Sequence, residues 1–335
     1  MHSGPPPYRP FRGADPPHFV DRTSEEEDLG TSGVVSTALE AYKHGPCDVR
    51  FHRLVAAGPA MGKTALLRAL CRQVQALLGW AAVLHRCRAK ERAMGLLRTQ
   101  VLASVSRQWG DARAGAGASV DGDEAWSELK AVLERCGRTA SGLGRGLLIA
   151  LDDVDLLGAG EAEAFGYLAR RLTLERLPVA FVLTGRPWLA RRFERTGNFS
   201  GTVWTSALGP FDPGEAREAI VVPAAERGVE FEDRALELAC AAAGGSPLAV
   251  QRIGFASWAA AGGRPSVGAA EVEEALAGPV GPPTSVAAAG LDGWFPAGRP
   301  TLPLKSPGVS KHARPVFSSR AGVGQGPREL AAPAR

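Results

Sequence analysis

At 335 residues the chain has room for one or two domains, and a hydrophobic content of 45% is enough to build a core. No apolar run reaches the roughly 18 residues of a membrane span, and five widely spaced cysteines without a CxxC pair (Cys47, Cys71, Cys87, Cys136, Cys240) argue against a disulfide frame or a zinc site and for reduced thiols in a cytoplasm. The formal charge of +4 sits at the end of the chain: from Gly278 on, seven basic and two acidic residues carry a surplus of five, leaving residues 1–277 at −1, so the near-neutral body does not read as a dedicated nucleic-acid-binding one.

In chain order, residues 1–17 are rich in Pro and Gly, show no charged-then-apolar leader pattern, and are expected to be disordered. The stretch "FVDRTSEEEDLGTSGVVSTALEAY" (19–42) follows an apolar pair and an arginine with an acidic helix start. "RFHRLVAA" (50–57) reads as a strand. "TALLRALCRQVQALLGW" (64–80) carries an apolar stripe at helical spacing. A second strand (80–87), a helix (90–109), a flexible loop (111–123) and a helix (124–136) come next. "GLLIALDD" (146–153) is continuously apolar and ends in two acids, as a buried parallel strand does. A helix around 160–175 precedes a fourth strand (177–186), and a fifth lies within 201–211. This alternation predicts an α/β fold with a parallel five-stranded sheet flanked by helices over 18–212. Four amphipathic segments between 213 and 278 predict a small all-α lid, and residues 279–335, about a third Pro and Gly, a disordered basic tail.

Between the first strand and its helix lies "AAGPAMGKTALL" (56–67), which ends as a phosphate-binding P-loop ends. Gly62 can take backbone angles closed to other residues and leaves room for a phosphate. Amides from Gly62 to Ala65 would point at the anion from a helix N-terminus, where the helix dipole favours negative charge. Lys63 would reach the β- and γ-phosphates and the Thr64 hydroxyl would ligate Mg²⁺. The loop thus nominates Ala57, Gly58, Pro59, Ala60, Met61, Gly62, Lys63, Thr64 and Ala65 as nucleotide-binding residues, with Ala57 where the usual pattern has glycine. The six histidines are scattered, so no metal site beyond Mg²⁺ is expected.

A second carboxylate strand completes such a site. Asp152, at the end of "LLIALDD", would hold Mg²⁺ through water, and Asp153 would orient the attacking water. "LTGR" places Thr184 and Arg186 at the end of the next strand, where a hydroxyl and a forked guanidinium suit a γ-phosphate. In "GGSPLAVQR", Ser246 is expected to cap a lid helix with Pro247 in its first turn, and Arg252 reads as a solvated lid arginine.

Together these motifs resemble the P-loop ATPases of the AAA+/STAND group, specifically the origin-recognition-like AAA ATPase domain, over roughly residues 17–277. "PPHFVDRTSEEEDL" is similar to the family's leading motif, with Asp21 in place of a glycine; the resemblance puts Phe19, Val20 and Arg22 against the adenine. "GPAMGKTALL" is similar to the family loop but one glycine short, either because Ala57 replaces the first glycine or because one residue is deleted before Met61. The pair Asp152–Asp153, the "TGR" arginine and the Gly-Ser-Pro of the lid, with Leu248 where initiator-type members often have arginine, resemble STAND switches more than replication initiators. The resemblance implies ATP and Mg²⁺ as ligands, Asp153, Thr184 and Arg186 as catalytic or sensing groups, and Pro247 near the nucleotide. It also implies an arginine supplied by a neighbouring subunit, for which Arg170, Arg171, Arg191 and Arg192 are candidates. The family commonly continues into a winged helix; no amphipathic segment follows Val280, so that output domain is expected to be missing or altered, and the tail also fits a truncated or frameshifted end.

Two functions fit: a slow Mg²⁺-dependent ATPase switch in the cytoplasm, acting through a protein partner or self-association, and a non-hydrolysing nucleotide-dependent scaffold. Origin-type DNA binding has weaker support, from the basic tail alone. No membrane partner is expected.

Overall fold

The structure, a computed structural model, describes residues 5–11, 14–22, 33–46, 51–89, 91–110, 123–196 and 202–278. The acidic stretch expected to start the first helix, the flexible loop and the basic tail lie outside the described residues, save Asp123, which opens a helix.

The strands are β1 (His52–Ala57), β2 (Ala81–Arg86), β3 (Leu147–Asp152), β4 (Val179–Gly185) and β5 (Val203–Leu208), in the order β2-β3-β4-β1-β5, with every neighbouring pair parallel. The five-stranded parallel sheet expected from the sequence is present. β1, β3 and β4 are buried at every position because helices cover both faces, which is why they read as unbroken apolar runs. Alternate residues serve opposite cores. Leu54, Ile149 and Phe181 face α3 (Ala93–Trp109), α4 (Asp123–Gly142), α5 (Ala159–Leu174) and α6 (Pro187–Thr196). Val55, Leu148 and Val182 face α1 (Val34–His44) and α2 (Lys63–Leu78).

α4 runs six residues past the expected end at 136, and α6, which the Gly185–Pro187 breakers concealed, starts with proline in its first turn. Inside the sheet, His52 on β1 accepts a hydrogen bond at Nδ1 from the Phe181 amide of β4 (3.1 Å), and its Nε2 lies 2.7 Å from Thr173 Oγ1. Burial pushes this imidazole down to about 3, so it is neutral near pH 7.

The lid holds α7 (Pro213–Ala225), α8 (Asp233–Ala243), α9 (Pro247–Ala261) and α10 (Ala269–Ala277). It is not wholly helical: Glu230–Phe231 and Ser266–Val267 form a short parallel pair, β6 and β7. α7 opens with a capping box, Asp212 accepting from the Glu215 amide at 2.8 Å and Glu215 accepting from the Asp212 amide at 2.9 Å. Ser246 caps α9, ahead of Pro247, as expected from the sequence.

The expected disorder of residues 1–17 does not hold for Pro5–Phe11 and Ala14–Pro17. Tyr8 is buried in the lid core, its hydroxyl donating to the Ile220 carbonyl at 2.6 Å. A buried aromatic ring with a satisfied hydroxyl outweighs the flexibility that Pro/Gly content suggests.

Candidate nucleotide site

The register of the sheet brings the motif residues to one edge. Val55 is level with Thr184, Ala56 with Gly185 and Arg86 with Asp152, so the loop after β1, the acids after β3 and the end of β4 share the carboxyl side of the parallel sheet. Ligands bind there in open α/β sheets, because helix N-termini and loops converge on it.

The P-loop has the expected turn. Gly62 sits at φ 86°, a left-handed angle, and caps α2, whose first amides are unshielded by any side-chain cap. A second left-handed position falls on Ala60, φ 64°, rather than on Gly58 two residues earlier. Ala57 is the last residue of β1 and is buried against the sheet; in this register it is an ordinary strand position, paired with Leu208. Lys63 is buried, and its ammonium donates to the Gly58 and Ala57 carbonyls at 2.9 and 3.2 Å. Burial pulls its pKa below the ordinary lysine value, opposed by the negative charges of Asp153, Asp152 and Asp155.

Asp152 is fully buried and acts as a bridge. The Thr64 hydroxyl donates to its Oδ2 at 2.6 Å and the Thr184 hydroxyl to its Oδ1 at 2.7 Å, while the Asp153 amide donates to Thr184 Oγ1 at 3.3 Å. This ties α2, β3 and β4 to one carboxylate. The donor set, a hydroxyl and a carboxylate oxygen, fits a hard divalent cation such as Mg²⁺. Among the described residues no group of three or more His, Cys, Asp or Glu gathers to hold a metal.

Asp153 has a left-handed backbone, φ 56°, and its Oδ2 accepts from Arg86 Nε and Nη2, each at 3.3 Å. Arg186 is exposed; its amide and Nε contact Asp155 at 3.2 and 3.4 Å. Arg22 is buried where the core meets the lid. One of its terminal nitrogens donates to the Met61 carbonyl of the P-loop at 2.5 Å, the other to the Gly209 carbonyl ahead of the lid, and its guanidinium lies 4.5 Å from the Phe211 ring centroid. Burial lowers it to about 10, and it remains a cation near pH 7.

These elements enclose a cavity of about 300 Å³. Pro59 through Ala65, Asp153, Arg186, Phe19, Val20, Arg22 and Pro247 line it, whereas Thr184 and Asp152 are buried behind the wall and Ala57 and Gly58 lie in the strand and its exit. Sequence reasoning missed Arg86, Asp155 and Gln251, which also line the cavity. Asp155 could have been sought two residues past the acidic pair; Arg86 and Gln251 had no local signal. Arg252, its neighbour, is not among the lining residues.

Residues 37–182 match the model of the AAA ATPase domain. This segment is an AAA ATPase domain. Among solved structures, the Walker-type ATPase of Pyrococcus abyssi is similar with a TM-score of 0.52 and 18% identity, over 77% of this chain and 74% of that one. Cdc6p of Pyrobaculum aerophilum is similar with a TM-score of 0.50 and 15% identity, over 72% of this chain. The match spans 64% of the Cdc6p chain, just under two thirds of its length. At these identities the likeness establishes the fold. No curated protein matches. The matched AAA ATPase segment contains the P-loop and the acidic pair; Thr184, Arg186, Pro247 and the Phe19–Arg22 stretch lie outside it. Among the described residues no helix is long and apolar enough to cross a membrane.

Proposed function

We propose that the chain binds ATP with Mg²⁺ between the sheet edge and the lid, and hydrolyses it slowly as a nucleotide-driven switch of the STAND kind. One observation carries this reading: Lys63, Thr64 and Asp153 line a single cavity at the N-terminus of α2, with Asp152 directly behind Thr64. Lys63 exchanges its two loop carbonyls for phosphate oxygens, a charge-assisted contact that suits an ammonium otherwise disfavoured by burial. The α2 amides cradle the phosphates. Thr64 and Asp152 would hold Mg²⁺, which when bound neutralises charge on the β- and γ-phosphates. Asp153 orients the water that attacks the γ-phosphorus as the bond to the bridging oxygen breaks, and Arg186 stabilises the transferring group. The four free cysteines within the described residues, three of them buried, suit a reducing compartment such as the cytoplasm.

Binding is tested by titrating a fluorescent ATP analogue with Mg²⁺ into wild type and Lys63→Ala. Micromolar binding that weakens at least about a hundredfold in the variant supports the reading, in line with the loss of a charge-assisted phosphate contact from a buried site. Equal binding by both sinks it. Phosphate release then separates two forms of the switch, with Asp153→Asn expected to stop turnover while binding persists.

A non-hydrolysing regulator is the second reading, and the Arg86–Asp153 pair favours it, since a carboxylate engaged by a guanidinium is a poorer acceptor for a water proton. Origin-type DNA binding has the least support, because residues 1–277 sum to −1. A protein partner or self-association would read the switch.

A further inference from the structure

The N-terminal residues 5–11 and 14–22 alternate between the lid and the core around the cavity. Tyr8 is fixed in the lid by its hydroxyl bond to Ile220 and by an edge contact with Phe231. Its ring lies where a Cβ on Gly254 would stand, 2.7 Å away, so α9 needs a glycine there for the ring to seat. The Arg9 amide donates to Gln251 Oε1 of the same helix at 3.0 Å. The chain then reaches the core, where Asp15 Oδ2 accepts from Arg72 Nη1 of α2 at 2.8 Å. It returns to the lid at His18, whose Nε2 lies 2.7 Å from Glu218 Oε1 of α7, and Val20 packs in the lid core. Arg22 ends the path on the P-loop. Along it, Arg9, Phe11, Ala14, Pro16 and His18 line the cavity, with Phe11 73% exposed.

We propose that residues 5–11 and 14–18 are a working part of the nucleotide site: a strap that walls the base side of the cavity and retains a purine nucleoside di- or triphosphate by tying lid to core. This rests on the nucleotide reading above. Tyr8–Ile220 holds the strap to the lid and Asp15–Arg72 holds it to α2, so breaking either contact loosens the tie between lid and core and eases the exit of a bound nucleotide. Phe11 and His18 put two aromatic side chains in the lining of the cavity, the kind of group on which a base stacks. The strap therefore acts on dissociation more than on association, as contacts made after encounter do.

The test uses the full chain and a fluorescent ADP analogue, chased with excess ATP in a stopped-flow instrument. Tyr8→Ala is expected to raise the dissociation rate about tenfold and Asp15→Asn about threefold, with association little changed. Asp15→Asn removes an exposed ion pair, so its unfolding midpoint without nucleotide should match wild type. Tyr8→Phe, which loses only the hydroxyl, decides the lid anchor should Tyr8→Ala not fold, and is expected to be intermediate. Dissociation rates within twofold of wild type for Asp15→Asn and Tyr8→Phe would overturn the strap. If the wild type binds no analogue, or Lys63→Ala binds as well as wild type, the nucleotide reading falls and the strap with it; loss on Lys63→Ala with unchanged strap variants overturns the strap alone.

Discussion

Each oxygen of Asp152 takes a hydroxyl, one from Thr64 and the other from Thr184, and Thr184 in turn accepts from the Asp153 amide. A buried carboxylate is tolerable only with such donors. Thr184→Val keeps the shape but strips one donor from Asp152 and the acceptor from Asp153. It is expected to lower the unfolding free energy by about 1–3 kcal/mol, the cost of buried groups left unpaired, whereas Thr184→Ser should cost less; urea denaturation of the two variants distinguishes them, and equal midpoints would refute the bridge. The Asp pair and the threonine were legible as residue types at strand ends. Their pairing was not, because β3 and β4 become neighbours only through the register of the sheet.

The leading segment shows the same limit for elements. The sequence marks Asp21 as a departure from the family glycine. In the fold its carboxylate caps α1, accepting from the Val35 and Ser36 amides at 3.0 Å each and from the Ser36 hydroxyl at 2.7 Å. The side chain that would be out of place beside an adenine instead satisfies helix amides and places a negative charge at the positive end of the helix dipole. Asp21→Ala should destabilise the protein by about 1 kcal/mol, the usual cost of a lost cap, read as a lower denaturation midpoint. An unchanged midpoint would mean α1 needs no such anchor. Strands, P-loop helix and lid helices were readable because each carries its own periodicity or cap. α6 was not, since a proline at its first turn looks like a breaker when no partner surface is visible.

For the whole molecule, His52 contributes one pH dependence of stability. Its ordinary value of 6.5 falls to about 3 in the fold, so on acidification the unfolded chain takes up the proton first. Stability is complete above about 6.5 and is lost as pH falls from there toward 3. Between pH 7.5 and 5 this one group should remove about 2 kcal/mol. Unfolding free energies at the two pH values measure the loss. His52→Asn, whose amide oxygen can take the Phe181 amide, should flatten the dependence; the same slope in the variant would assign the effect to other groups.

The sequence alone determined the α/β class, the five strands of the main sheet, the P-loop, the acidic pair and the helical character of most of the lid. Each is a local property: hydrophobic period, a glycine at a turn, a cap, a charge at a strand end. Tertiary structure decided that Thr184 braces Asp152, that Arg86 and Asp155 join the site, that Arg22 spans the P-loop and the residues before the lid, and that a Pro/Gly-rich N-terminus is held by Tyr8 and Asp15. Those contacts join residues 30 to more than 200 positions apart in the chain, and their energies exist only once packing has excluded water between them.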